Sequence, residues 1–129
     1  MTQLQGTNFE LVGDFMEAMD QEIQISPTFP DEHIQKLRVD LIEEEFDELR
    51  DGIEAKDIVE VADALTDLLY VIYGAGQAFG IDLDECFNEV HLSNMSKLGE
   101  DGRVIKREDG KVMKPNTYFP PDIASVLAV

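Results

Sequence analysis

A chain of 129 residues, 43% of them hydrophobic, is long enough for one globular domain and has no need of a second. Its formal net charge of −18 is unevenly placed, with 23 acids and four bases in residues 1–96 and six bases and five acids in 97–129. Such a surface excludes duplex nucleic acid, which needs a positive footprint, and the longest nearly apolar run, Leu68 to Ala75, is far shorter than the roughly 20 residues that cross a bilayer.

The first residues show no basic region followed by an apolar one, and the single cysteine, Cys86, excludes an internal disulfide, so a cytoplasmic location is expected. Thr7 with Glu10 forms a capping-box pattern, and Phe9, Val12, Phe15, Met16 and Met19 follow at helical spacing, which predicts a helix from about Asn8 to Glu22. The run from Ser26 to Pro30 breaks it. Asp31 is then placed to cap a long second helix bearing Ile34, Leu37, Leu41, Phe46, Leu49 and Ile53 on its packing face.

After a short connection near Gly52 to Lys56, Asp57 caps a third helix that Gly80 stops after Phe79, with Ile81 as the apolar contact beyond it. Asp82 and Glu85 open a fourth through about Lys97, with Leu83, Cys86, Phe87, Val90 and Met95 as its buried stripe. Beyond Gly99 two Glu-Asp-Gly turns predict a small hairpin or ordered loop, Pro115, Pro120 and Pro121 keep the chain extended, and Asp122 caps a short terminal helix. The expected fold is all-α: one domain spanning 1–129, a bundle of four to five helices with the second and third forming an antiparallel hairpin.

That hairpin carries two acidic patches, Glu43, Glu44, Glu45 and Glu48 on one helix and Glu60, Asp63 and Asp67 on the next. Carboxylates three or four residues apart share a helix face, so Glu44 and Glu45 point with Glu48, and Asp63 with Asp67, beside the packing seam. Lys36, Arg38 and Arg50 are the few cations within reach. Like charges held together raise one another's pKa, and a hard divalent cation with oxygen ligands relieves them. On composition alone a solvated ion network and a metal site stand as even alternatives, and Glu43, Asp47, Asp51 and Glu54 read as solvated.

Other patterns are weaker. Gly74, Gly76 and Gly80 have the wrong spacing and context for a dinucleotide fingerprint and read as close helix packing. Tyr70 and Tyr73 read as core, and Cys86 as a small buried residue.

EExxE on one helix followed by acids and DLLY on the next resembles the all-α nucleoside triphosphate pyrophosphohydrolases, the superfamily of MazG, dimeric dUTPases and phosphoribosyl-ATP pyrophosphohydrolase. DALTDLLYVIYG, FGIDLDECFNEVHLSNMSK and DGKVMKPNTYFPPDI are similar to its MazG-like branch, over roughly residues 31–123. The resemblance implies Mg²⁺, with Mn²⁺ as a substitute, held by Glu44, Glu45, Glu48, Asp63 and Asp67, and cleavage of a nucleotide between its α and β phosphates. It implies that Glu45 could instead orient or deprotonate the attacking water, and that Asn94, Lys97, Lys111 and Lys114 contact phosphate. A homodimer or higher homo-oligomer is the expected assembly. The superfamily's second motif commonly has ExxD ending where Asp67 stands, but residue 64 here is alanine. Asp63 and Glu60 are the available substitutes, and the ligand set and the number of ions stay open. Phosphoribosyl-ATP as substrate, and a catalytically idle module that binds metal or nucleotide, are the alternatives, and no motif reads the base.

Overall fold

The structure, a computed structural model, describes residues 5–129. It contains helices α1 (Asn8–Ala18), α2 (Glu32–Glu54), α3 (Ile58–Phe79), α4 (Leu83–Met95) and α5 (Ile123–Leu127). Among the described residues the β structure is an isolated antiparallel bridge between Lys106 and Val112, so the fold is all-α as expected. Among the described residues no helix is long and apolar enough to cross a membrane. Contacts group into two compact units, Met1–Leu83 and Asp84–Val129, each described by itself.

In the first unit α1 opens with the expected capping box, the Glu10 N–H donating to Thr7 Oγ1 and the Thr7 N–H to Glu10 Oε1. It stops at Ala18, short of the expected Glu22, because Asp20 takes a left-handed φ of 56° and the Gln21 N–H turns back to the Met16 carbonyl at 2.8 Å. Asp31 holds the N-cap position of α2, yet its side chain makes no capping hydrogen bond. Its carbonyl instead accepts from the N–H groups of Ile34 and Gln35, and Gln35 Nε2 donates to the Pro30 carbonyl. Asp57 caps α3 as expected, accepting from Val59 and Glu60 at 3.1 and 3.2 Å, and Gly80 closes that helix at φ 67°.

Helices α2 and α3 pack antiparallel. Gly52 near the end of α2 lies against Glu60 near the start of α3, and Arg38 near the start of α2 lies against Gly74 toward the end of α3. Helix α1 lies on α3 through Phe9 with Tyr73 and Phe15 with Tyr70, both edge to face. The glycine reading holds: a Cβ at Gly76 would stand 2.5 Å from Leu83 Cδ1 and 3.1 Å from Phe9 Cε1. Val12, Met16, Ala64 and Ala78 are buried. Leu37, Phe46, Ile53 and Tyr70, expected in the core, are instead 41–59% exposed.

In the second unit α4 ends at Met95, two residues before the expected Lys97. Cys86 and Ser93 are buried, whereas Phe87, Val90 and Met95 of the expected stripe are exposed. Ser93 Oγ donates to the Phe119 carbonyl at 2.8 Å, Ser96 Oγ accepts from the Phe119 N–H, and Thr117 Oγ1 donates to the Leu98 carbonyl, which staples the proline-rich return to the helix end. The expected hairpin is reduced to the single bridge, supported by Arg107 N–H to the Lys111 carbonyl. Asp122 caps α5 through the Ser125 N–H.

Candidate metal centre

One turn separates Glu45 from Glu48 on α2, and antiparallel pairing sets Asp67 of α3 opposite them. Each offers a carboxylate oxygen, and these oxygens all lie within 4.8 Å of one another. Glu45 and Asp67 are half-buried and Glu48 is exposed. Glu45 Oε2 is buried with no hydrogen-bond partner.

Burial, followed by the hydrogen bond with Glu48 and the charges of Glu48, Asp67 and Glu44, pushes the Glu45 carboxyl up to about 7. Asp67 is also raised, by burial first and then by Asp63 and Glu48. Among the described residues no cation pairs with the cluster: Lys36 is taken by Asp40, Arg107 by Asp109, and Arg50 sits 4.6 Å over the Phe46 ring. An all-oxygen donor set, mutual repulsion and an orphaned buried oxygen fit a hard divalent cation, whose charge would replace the proton held near neutrality.

Of the other residues expected at the site, Glu44 and Asp63 are exposed and lie outside the tight cluster; their charges act on Glu45 and Asp67 respectively. Ala64 is 1% exposed, so an acid at that position would be buried in the packing. Glu43, Asp47, Asp51 and Glu54 are exposed. In the second unit Lys97 Nζ donates to Asn94 Oδ1 at 3.1 Å, Lys114 Nζ lies 4.9 Å over the Tyr118 ring, and the Lys111 backbone N–H donates to Asp109 Oδ1.

Arg38 corrects the sequence reading. Taken there as a cation near the acidic patch, it is 7% exposed and packed toward Gly74, since a long side chain can cross a helix interface only where its neighbour has none. Its place seven residues before Glu45, on the same face of α2, was the available signal.

The family model described as phosphoribosyl-ATP pyrophosphohydrolase matches residues 12–94, which include both acidic helices and end at Asn94, before Lys97, Lys111 and Lys114. An uncharacterized protein of Acanthamoeba polyphaga mimivirus is 43% identical over 82 residues, covering 60% of this chain and 33% of that protein. The chain thus spans about a third of the length of the curated relative it matches. With motif order, helical architecture and the family match in agreement, the chain belongs to the phosphoribosyl-ATP pyrophosphohydrolase family of the MazG-like all-α superfamily.

Proposed function

We propose that the protein is a Mg²⁺-dependent nucleotide pyrophosphohydrolase, with Mn²⁺ as a working substitute, that cleaves the α–β phosphoanhydride of a nucleoside triphosphate or related nucleotide. The products are the monophosphate and pyrophosphate. The observation that supports this most is the convergence of Glu45, Glu48 and Asp67 within 4.8 Å around a buried oxygen that has no partner. Family membership supplies the reaction class.

Glu48 and Asp67, with Glu45 beside them, would hold the cation, and Glu44 and Asp63 would add negative charge from the rim. A divalent ion there supplies Lewis acidity toward phosphate oxygens. Glu45, whose carboxyl is raised to about 7, orients the attacking water and accepts its proton at Oε2. Lys97, positioned by Asn94, and Lys111 and Lys114 neutralise phosphate charge.

The active form is a homodimer or higher homo-oligomer. Supporting this, Phe46 and Ile53 of α2 and Leu65, Leu69 and Ile72 of α3, large apolar side chains on two paired helices, are 42–59% exposed. Sedimentation velocity tests it, and a monomer at micromolar concentration would refute it.

Pyrophosphate release measured over a panel of nucleotides, with Mg²⁺ and with a chelator, tests the reaction. Orthophosphate as the first product, or activity surviving chelation, would overturn it. Phosphoribosyl-ATP belongs in the panel because the family match names it.

A further inference from the structure

Arg38 is a guanidinium enclosed among α1, α2 and α3, with five N–H donors and no acceptor. Its Nε is buried without a partner, and Nη2 reaches Gln21 Oε1 only at 3.4 Å. Among the described residues no carboxylate pairs with it. A buried charge so poorly satisfied is costly, and replacing it by an apolar side chain is often neutral or stabilising. Room is kept for it by Gly74, where a Cβ would stand 2.7 Å from Nη1.

Arg38 opens on a cavity of about 120 Å³ walled by Phe15, Leu41, Tyr70 and Val71, with Gln21 also at its lining. That is smaller than the roughly 150 Å³ that encloses a benzene ring, so the cavity admits the edge of a six-membered ring from its open side and not a whole nucleotide. Apolar walls with a donor-only group at one edge suit a flat ring carrying an acceptor, and suit a phosphate poorly. The cavity also has a fixed relation to the carboxylates. Arg38 precedes Glu45 by two helical turns, about 10.5 Å, and Gly74 follows Asp67 by the same interval. Cavity and cluster therefore lie along one α2–α3 seam, two helical turns apart.

We infer that this cavity is a base subsite, in which the six-membered ring of a nucleobase enters beside Phe15 and Tyr70 and a ring carbonyl oxygen accepts from the Arg38 N–H groups. This deepens the proposed nucleotide reaction and rests on it. Adenine, alone among the common bases, has no carbonyl oxygen and offers the guanidinium a ring nitrogen flanked by an amino donor in its place. The subsite therefore selects against the adenine nucleotide for which the family is named.

The test is binding of UMP, GMP and AMP in EDTA, by titration calorimetry, on the wild type and Arg38→Met. Without metal or turnover the result is independent of whether pyrophosphate is ever released. UMP and GMP should bind about 10- to 100-fold more tightly than AMP, and Arg38→Met should remove that preference. Equal binding of all three by the wild type, a proportional loss of all three in the variant, or no binding of any would overturn it. Should Arg38→Met fail to fold, Gly74→Ala, which displaces Nη1, must lose the same preference, and an unchanged preference there overturns the inference.

Discussion

Gly52 of α2 and Glu60 of α3 lie so close that a Cβ on the glycine would stand 3.2 Å from both Glu60 Cβ and the Val61 nitrogen. Backbone cannot yield as a flexible side chain does, so this contact fixes the helix separation at the closed end of the hairpin, one turn beyond Glu48. Gly52→Ala should splay the helices there and cost about 1–3 kcal/mol of stability. It should also reduce the rise in melting temperature that Mg²⁺ produces in the wild type, because the carboxylates no longer converge. Thermal melts with and without Mg²⁺ check both effects.

Glu48→Gln and Asp67→Asn should each remove most pyrophosphate release with helicity intact by circular dichroism, since each deletes a ligand from a folded helix. Glu54→Gln should leave activity near normal. Asp63→Asn should cost less than Asp67→Asn, because Asp63 acts on the cluster by charge from outside it. Equal losses would make Asp63 a ligand in its own right.

The Glu45 carboxyl, raised to about 7 in the fold, binds its proton more tightly than in the unfolded chain, where it titrates near 4.5. Its stabilising contribution is therefore complete below about pH 4.5 and is lost as pH rises through 7. The metal-free protein should melt progressively lower across that window, and Glu45→Gln should flatten the slope. Mg²⁺, which competes with the proton, should stabilise more at pH 8 than at pH 5. The lowered carboxyls of Asp109 and Asp122 have the opposite sign but titrate below this range. A pH series of melts with EDTA or Mg²⁺ decides it.

Lys97→Ala and Lys114→Ala should each lower kcat/KM by about 10- to 150-fold, the loss of about 1.5–3 kcal/mol for a charged phosphate contact. Arg103→Ala should have little effect. Steady-state kinetics reads the difference, and unchanged efficiency in both lysine variants would make the basic segment structural.

Where a boundary depends on local chemistry, the sequence alone was a sufficient guide: Thr7 with Glu10, Asp57, Gly80 and Asp122 all act at the ends assigned to them. The end of α1 was illegible because Asp20, not a glycine, takes the left-handed position, and a side chain carries no outward mark of that φ. Asp31 misled because its carbonyl, not its carboxylate, meets the first turn of α2. The apolar stripes of α2 and α3 were legible as stripes, whereas exposure of Phe46 and Ile53 depends on what covers them, which helical periodicity does not encode. At the site, spacing gathered the acids onto two faces. It did not separate Glu44 from Glu45, adjacent residues about 100° apart around the helix, nor foresee a buried Arg38.

The connection between α1 and α2 also completes the far end of α3. Gln24 and Thr28 donate their N–H groups to the Gln77 and Phe79 carbonyls, and a side chain at Gly80 would run into the Ser26 carbonyl. This loop behaves as a clasp on the helix that carries Asp67, and cutting it would remove the Gln24 and Thr28 N–H groups from those carbonyls, leaving the Gln77 carbonyl only its longer bond from the Gly80 N–H. A tag, an insertion or a circularly permuted terminus placed between residues 24 and 28 would unfasten α3. The turn at Gly110, where an added Cβ meets nothing within 4 Å, offers a place to open the chain without that consequence.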